Sequence, residues 1–283
     1  MAKKPKRRIN EFTQERKDYA KSHSIAEKEI LPFVRRALRD TVAPVIKHIE
    51  LYGFTNLIPE AIINRSVWRE MYPKIYQKLG MKFAKKEFYR QRGLEAQKAS
   101  AIDFLIDVWS SMLRNYAFSH INLMENELNE TTIRIIKEAL GDSYLLGVDR
   151  DNAVRLFIKD IQGRFRKRAG TISRTEATTI SNLGKDIGAR SWIDQQGGQG
   201  YKVWLGRNDI KERPSHIQEN NTILPIDDEF DLSGQLAQRP GDVNLSASQR
   251  INCRCVCSYM SENRYNGYLR RNRIVDGKLL GAS

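Results

Sequence analysis

Four side chains near the C-terminal end have the chemistry of soft-metal ligands: His216, Cys253, Cys255 and Cys257. Zinc accepts imidazole and thiolate donors in mixture. The run Cys253-Arg254-Cys255-Val256-Cys257 alternates, and alternate side chains of a strand share a face, so the three sulfurs can point together. That geometry suits three small buried hydrophobes equally well, and the run has no Cys-x-x-Cys knuckle. All the cysteines lie in this stretch, odd in number and too tightly spaced for a disulfide framework, so reduced thiols are expected. His216 with Asp209, Glu176 and Asn252 also supplies the residue types of a metal-dependent nuclease or another hydrolase. Recognised catalytic templates fail, however: there is no Gly-rich phosphate loop before a helix, no Gly-x-Ser-x-Gly elbow and no His-Glu-x-x-His helix. No catalytic residue is assigned, and a structural role is the expectation.

The elements that must position these groups are mostly helical. Ile30, Val34, Leu38, Val42, Val45 and Ile49 recur at spacings of three and four, one apolar helix face, with Pro44 expected to kink or divide the helix. Helical stretches follow from Pro59 through Met71 and from Ile75 to Tyr89. From Ser100 onward Ile102, Leu105, Ile106, Trp109, Met112, Leu113 and Tyr116 form an apolar stripe read as core. Asn129, Glu130 and Thr131 suggest a new helix start before Ile133, with Gly141 as its stop, and Asp149 or Asp151 can cap the next helix. The texture changes at Gly197-Gly198-Gln199-Gly200, after which Tyr201-Lys202-Val203-Trp204-Leu205 reads as a strand. Turns and short strands continue to about Tyr259. The fold class is α+β: a mostly helical N-terminal region and a small α+β C-terminal domain with short strands. After Ser261 the chain is rich in Arg, Asn and Gly, and Leu279-Leu280 is too short to form a core, so this tail is expected to dock on a neighbour or stay mobile.

The 283 residues carry a formal net charge of +14, a positive field able to hold polyanions. Lys82, Lys85, Lys86, Arg90 and Arg92 make the most basic helical segment, and Arg164, Arg166, Lys167 and Arg168 cluster near a helix end. Arg264, Arg270, Arg271 and Arg273 add charge to the tail. All can contact phosphates, without sequence preference and with strong salt dependence. The bland alternative is that excess Lys and Arg serves solubility, and the carboxyl pole of a helix dipole explains much of the second cluster. No apolar run reaches the roughly 20 residues that span a bilayer. The basic start Ala2-Lys3-Lys4-Pro5-Lys6-Arg7-Arg8 has no apolar stretch behind it, so no secretory signal is read and the protein is expected in the cytosol where it is made.

A series of spaced elements carries a family resemblance. Ser173-Arg174-Thr175-Glu176 is followed by Asn182 and Gly184, then Lys202-Val203-Trp204-Leu205 and Asp209. Arg213-Pro214-Ser215-His216, Pro225-Ile226-Asp227, Phe230, Gly234 and Pro240-Gly241-Asp242 come next, and Ile251-Asn252-Cys253-Arg254-Cys255 closes the series. Any one alone is worthless; in order, over roughly residues 129–259, they resemble the phage Mu F-like minor head proteins of the phage head morphogenesis family. Two departures stand out. Asn220-Asn221 replaces the Asp-Gly of many relatives, and Arg213-Pro214-Ser215-His216 stands where many carry a Cys-x-x-Cys pair, so a metal site of the family's kind lacks that pair.

The resemblance implies a non-enzymatic minor head protein of a tailed bacteriophage, in the virion head near the portal vertex and in the host cytoplasm during assembly. Its implied partners are the portal protein, scaffold or major capsid protein, and packaged DNA bound without sequence preference, with no membrane; some relatives accompany the DNA on ejection. It further implies a structural polar network of Arg174, Glu176, Arg213, His216, Asn252 and Arg254, which specifies the fold without catalysing anything. The domains expected are a helical region 1–128, a Mu-F-like domain 129–262 and a basic tail 263–283.

Overall fold

A computed structural model describes residues 11–54, 57–93, 103–144, 149–271 and 273–280. The basic start at 2–8 and the expected helix entry at Ser100 and Ile102 lie outside the described residues. Helix α1 (Glu11–Tyr52) passes through both Pro32 and Pro44 instead of dividing. A proline inside a helix costs about 3 kcal/mol; Val42 and Val45, both buried, flank Pro44, and burial of a valine is worth about 1.5–3 kcal/mol. Short α2 (Pro59–Ile62) and α3 (Val67–Ile75) lead through a π turn at Tyr76–Gly80 into α4 (Met81–Arg92).

Helix α5 (Asp103–Tyr144) runs unbroken past Asn129 and Gly141, where the sequence suggested a start and a stop. Asn129 is buried, and Thr132 Oγ1 donates to the Leu128 carbonyl at 2.6 Å, so the polar side chains serve the helix interior rather than a cap. Helix α6 (Arg150–Gln196) does begin at the expected cap, with Asp149 Oδ1 accepting the N–H groups of Asp151 and Asn152 at 3.1 Å each.

The chain forms two compact units. One gathers the described residues of 27–78 and 110–173, with Val34, Trp68, Tyr72, Leu113, Ile136 and Phe157 among its buried side chains. The other gathers those of 1–26, 79–109 and 174–283 and holds all the strands. Its main sheet is antiparallel in the order β2 (Ile223–Pro225), β1 (Gly200–Leu205), β5 (Val256–Ser261). Short pairs β3 (Phe230–Asp231) with β4 (Leu236–Ala237), and β6 (Ile274–Val275) with β7 (Lys278–Leu279), complete the strands. The α+β reading holds.

The sheet is buried on both faces. Trp204, Cys257 and Tyr259 pack with Ala189 and Ile193 of α6 and with Phe230 and Leu232. Val203, Leu205, Val256 and Met260 face the other way, against Phe12 and Tyr19 of α1, Tyr268 of α9 (Glu262–Arg270), Ile274 and Leu279. The tail expectation is thereby corrected: Leu279 is buried, and its N–H donates to the Asn221 carbonyl at 2.9 Å, because the turn at Asp276-Gly277 folds Ile274 and Leu279 onto an existing core, while Leu280 stays exposed. Helix α4 lies close to α6 in the same unit, where a Cβ at Gly188 would fall on the Ala84 backbone and one at Gly184 on Gly80 and Phe83. This gives Gly184 of the motif series a packing reason.

Candidate functional site

One face of α6 is polar though buried, and it organises the segment before β5. Thr175 Oγ1 accepts the Asn252 N–H at 3.1 Å, and Thr178 Oγ1 donates to the Cys253 carbonyl. Asn182 donates from Nδ2 to the Cys255 carbonyl at 3.2 Å and accepts the Cys257 N–H at 2.8 Å. Asn252 itself sits at φ 59°, a left-handed conformation that asparagine tolerates better than most residues. The backbone carrying the cysteines is thus fixed by α6 before any side chain of the site is considered.

His216 comes from α7 (Pro214–Glu219), a single turn opened by Pro214 in its first position. Its Nδ1 stands 3.4 Å from Cys255 Sγ and 3.7 Å from Cys253 Sγ, and its Nε2 is 3.1 Å from Gln249 Oε1 on α8 (Ala247–Arg250). His216, Cys253 and Cys255 are all buried, and their donor atoms lie within 4.8 Å of one another, a set that could hold a metal ion. The hydrogen bond from the Cys255 thiol, with His216 alongside, holds Cys253 well below the ordinary thiol range. Cys255, the donor in that bond and itself buried, is pushed well above it.

Cys257 is not part of this group. It faces the same core as the other two, as the alternation required, but it lies inside β5 opposite Trp204, and burial pushes its thiol up to about 12. Beside the three-residue group, next to Cys255, stands Glu212, which sequence reasoning missed. Cys255 Sγ lies 3.8 Å from Glu212 Oε1, while Glu212 Oε2 accepts the Asn208 N–H at 2.7 Å. Nothing in the order of residues pairs Glu212 with a cysteine 43 positions away; the turn that carries it is shaped by left-handed Asn208 and by Gly206, where a Cβ would fall on the Glu212 carboxylate. Arg16 of α1 pins this turn, donating to the Gly206 carbonyl at 3.0 Å and to the side chains of Asn220 and Asn221 at 2.9 and 2.8 Å.

The residues expected to form one polar network reach the segment before β5 at several points. Arg174 donates to Asn252 Oδ1 at 2.9 Å, Arg254 pairs with Asp209 at 2.9 Å, and Arg213 donates to the Ile251 carbonyl. His216 joins the cysteines, and Glu176 is buried on α6. Arginines and helix thus bind the 251–254 backbone and its flanks at several points.

Three of the basic residues read as phosphate ligands are engaged by acceptors of the protein itself. Arg90 pairs with Glu87 and Glu15 and donates to the Tyr259 carbonyl, Arg164 pairs with Asp160, Glu138 and Asp142, and Arg168 donates to the Leu128 carbonyl and Thr132. Each guanidinium is engaged by acceptors of its own unit. Lys82, Lys86, Arg166 and Lys167 are exposed, Lys85 and Arg92 half-buried. No helix of the described residues is long and apolar enough to cross a membrane.

Comparison with known proteins bears on the α6 and sheet region. The chain is similar to "Uncharacterized protein YqbB" of Bacillus subtilis (strain 168), 28% identical over 179 residues, covering 61% of this chain and 53% of that protein. The chain therefore spans about half the length of this curated relative. No solved structure matches significantly. Residues 135–258, which include α6, the main sheet, His216 and the cysteines, match the family described as phage Mu protein F like protein, and the resemblance read from the ordered motif series is to this same family.

Proposed function

We propose that this chain is a minor head protein of a tailed phage that acts at the portal vertex during capsid assembly and DNA packaging, by docking and not by chemistry. The observation that carries the reading is the family match over 135–258, which supports a phage head protein in general. The site geometry agrees with a structural part: the polar groups of α6, Arg213 and Arg254 are engaged with the protein's own backbone and side chains. Docking surface is available on the helical unit, where Leu51, Tyr52, Ile58, Met112, Phe118 and Leu123 are exposed. Large apolar side chains left outside a core are what a partner surface covers. The portal protein is the partner assigned to that unit, and packaged DNA is the polyanion assigned to the exposed Lys82, Lys86, Arg166 and Lys167.

The test is quantitative mass spectrometry of mature particles and procapsids, normalised to the portal protein, with wild-type chain and with the pair Phe118→Ser, Leu123→Ser. A low, portal-like copy number that drops in the double variant is expected. Absence of the wild-type chain from both particles would overturn the virion reading. Equal incorporation of the double variant would overturn the docking surface.

A further inference from the structure

We infer that Cys253, Cys255, His216 and Glu212 form a closed, four-ligand zinc site that fastens the 206–212 turn and α7 to the segment entering β5. The first argument is distance. Tetrahedral zinc with sulfur at about 2.3 Å and nitrogen or oxygen at about 2.0–2.2 Å sets its ligand atoms roughly 3.3–3.8 Å apart. The donor separations found are 3.4 Å for His216 Nδ1 to Cys255 Sγ, 3.7 Å for His216 Nδ1 to Cys253 Sγ and 3.8 Å for Cys255 Sγ to Glu212 Oε1. These three edges are already near their bonded lengths; His216, Cys253 and Cys255 are the preformed set, and the Glu212 carboxylate, now near Cys255, closes on it as the fourth ligand when the metal binds.

The surroundings are those of ligands. Gln249 Oε1 accepts from Ser215 Oγ at 3.0 Å and faces His216 Nε2 at 3.1 Å, and with the amide oxygen in that place Nε2 is the protonated nitrogen. That leaves the Nδ1 lone pair directed at the sulfurs, the arrangement by which a neighbouring carbonyl orients a metal-bound histidine. The indole N–H of Trp204, in the same core as Cys253 and Cys255, is buried with no hydrogen-bond partner among the described residues, a donor suited to a thiolate. The Trp204 ring also stands edge-on to His216, 5.4 Å between centroids, and closes one side. Glu212 has one oxygen tied to Asn208 N–H and the other turned toward Cys255, in space kept open by Gly206.

Charge and ligand softness select the metal. Two thiolates with an imidazole favour zinc over magnesium or calcium. Two thiolates and a carboxylate around a dication leave one negative charge, and the Arg16 guanidinium, which interacts with both Glu212 and Cys255, offsets it. Binding takes both cysteines as thiolates, so any thiol proton still held leaves to solvent, and no redox step is involved. With four protein donors no position is left for a substrate, so the role is structural. This inference does not depend on the head-protein reading.

The experiment uses the full chain, purified without chelator. Metal content by mass spectrometry should give about one zinc per chain, and Co²⁺ added to the stripped protein should produce the near-ultraviolet charge-transfer band of cobalt–thiolate bonds. Cys253→Ser and Cys255→Ser should lose both signals, Cys257→Ser should keep them, and Glu212→Gln should weaken Co²⁺ binding roughly 10-fold or more. Wild-type chain with neither zinc nor a cobalt–thiolate band overturns the site, and this reading needs no variant that might fail to fold. Loss of metal in Cys257→Ser equal to that in Cys253→Ser overturns the choice of sulfurs. Unchanged affinity in Glu212→Gln overturns the fourth ligand.

Discussion

The side-chain amide of Asn182 grips the cysteine segment from both directions, accepting the Cys257 N–H at 2.8 Å while its own Nδ2 donates to the Cys255 carbonyl at 3.2 Å. A buried hydrogen bond is worth about 1 kcal/mol net, and leaving its partner unpaired costs about 1–3 kcal/mol. Asn182→Ala should lower stability by about 2–4 kcal/mol, measured by urea unfolding. A variant as stable as wild type would show that α6 does not fix the entry to β5.

The strand-bearing unit holds a buried ionic group lining a cavity of about 400 Å³: Glu87 and Glu15 with Arg90 and Lys185. Burial alone would raise the Glu87 carboxyl, but Arg90 and Lys185 outweigh it and bring it to about 2. A carboxylate depressed in the folded state stabilises above its unfolded pKa, and that stability is lost as pH falls through the folded value. Acid unfolding should therefore show a component between about pH 4.5 and 2 that Glu87→Gln removes. Glu87→Gln should also cost about 3 kcal/mol near neutral pH, because Arg90 and Lys185 lose a buried partner.

His23 is buried on α1, its Nε2 3.0 Å from Thr178 Oγ1. Burial lowers its pKa from 6.5 to about 4, with Arg207, Arg174 and Arg254 adding repulsion. The neutral ring is the folded form, so stability is complete above the unfolded pKa and falls as pH drops from about 6.5 to 4. The loss over that window should be of the order of 3 kcal/mol, and His23→Gln should flatten it. A melting temperature equally pH-dependent in the variant would place the titration elsewhere.

Charge reversal distinguishes the exposed cations from those engaged by acceptors of the protein itself. Lys82→Glu with Lys86→Glu, and Arg166→Glu with Lys167→Glu, should each weaken DNA binding and reduce the salt dependence by about 0.9 in log K against log salt for every phosphate no longer neutralised. Fluorescence anisotropy across a salt series reads this. Arg168→Ala should instead lower unfolding stability, since it strips donors from Leu128 and Thr132. Equal salt slopes for wild type and all surface variants would remove DNA as their partner.

Much of the architecture was legible because it is periodic or local. The apolar faces at Ile30 to Ile49 and at Leu105 to Leu113, the strand at Tyr201 to Leu205 and the cap at Asp149 each depend on residues within one or two turns of one another. Pro44 does not divide its helix and Asn129 does not start one, because burial of neighbouring side chains outweighs a local preference. The motif order from Ser173 to Cys255 pointed to the same family as the match over 135–258.

The sequence by itself determined residue chemistry and spacing: soft ligands at His216 and the cysteines, an excess of positive charge, an α+β division and a resemblance to the phage Mu F-like family. Only the tertiary structure decided which donors meet. It brought Glu212 to Cys255 and left Cys257 inside β5, and it joined Phe12 and Tyr19 of α1 to the back of the C-terminal sheet. It also separated the exposed Lys82 and Lys86 from Arg90, held by Glu87. The physical reason is that ligand geometry, ion pairing and burial are set by distances of a few ångströms across the fold, between residues whose separation along the chain carries no record of them.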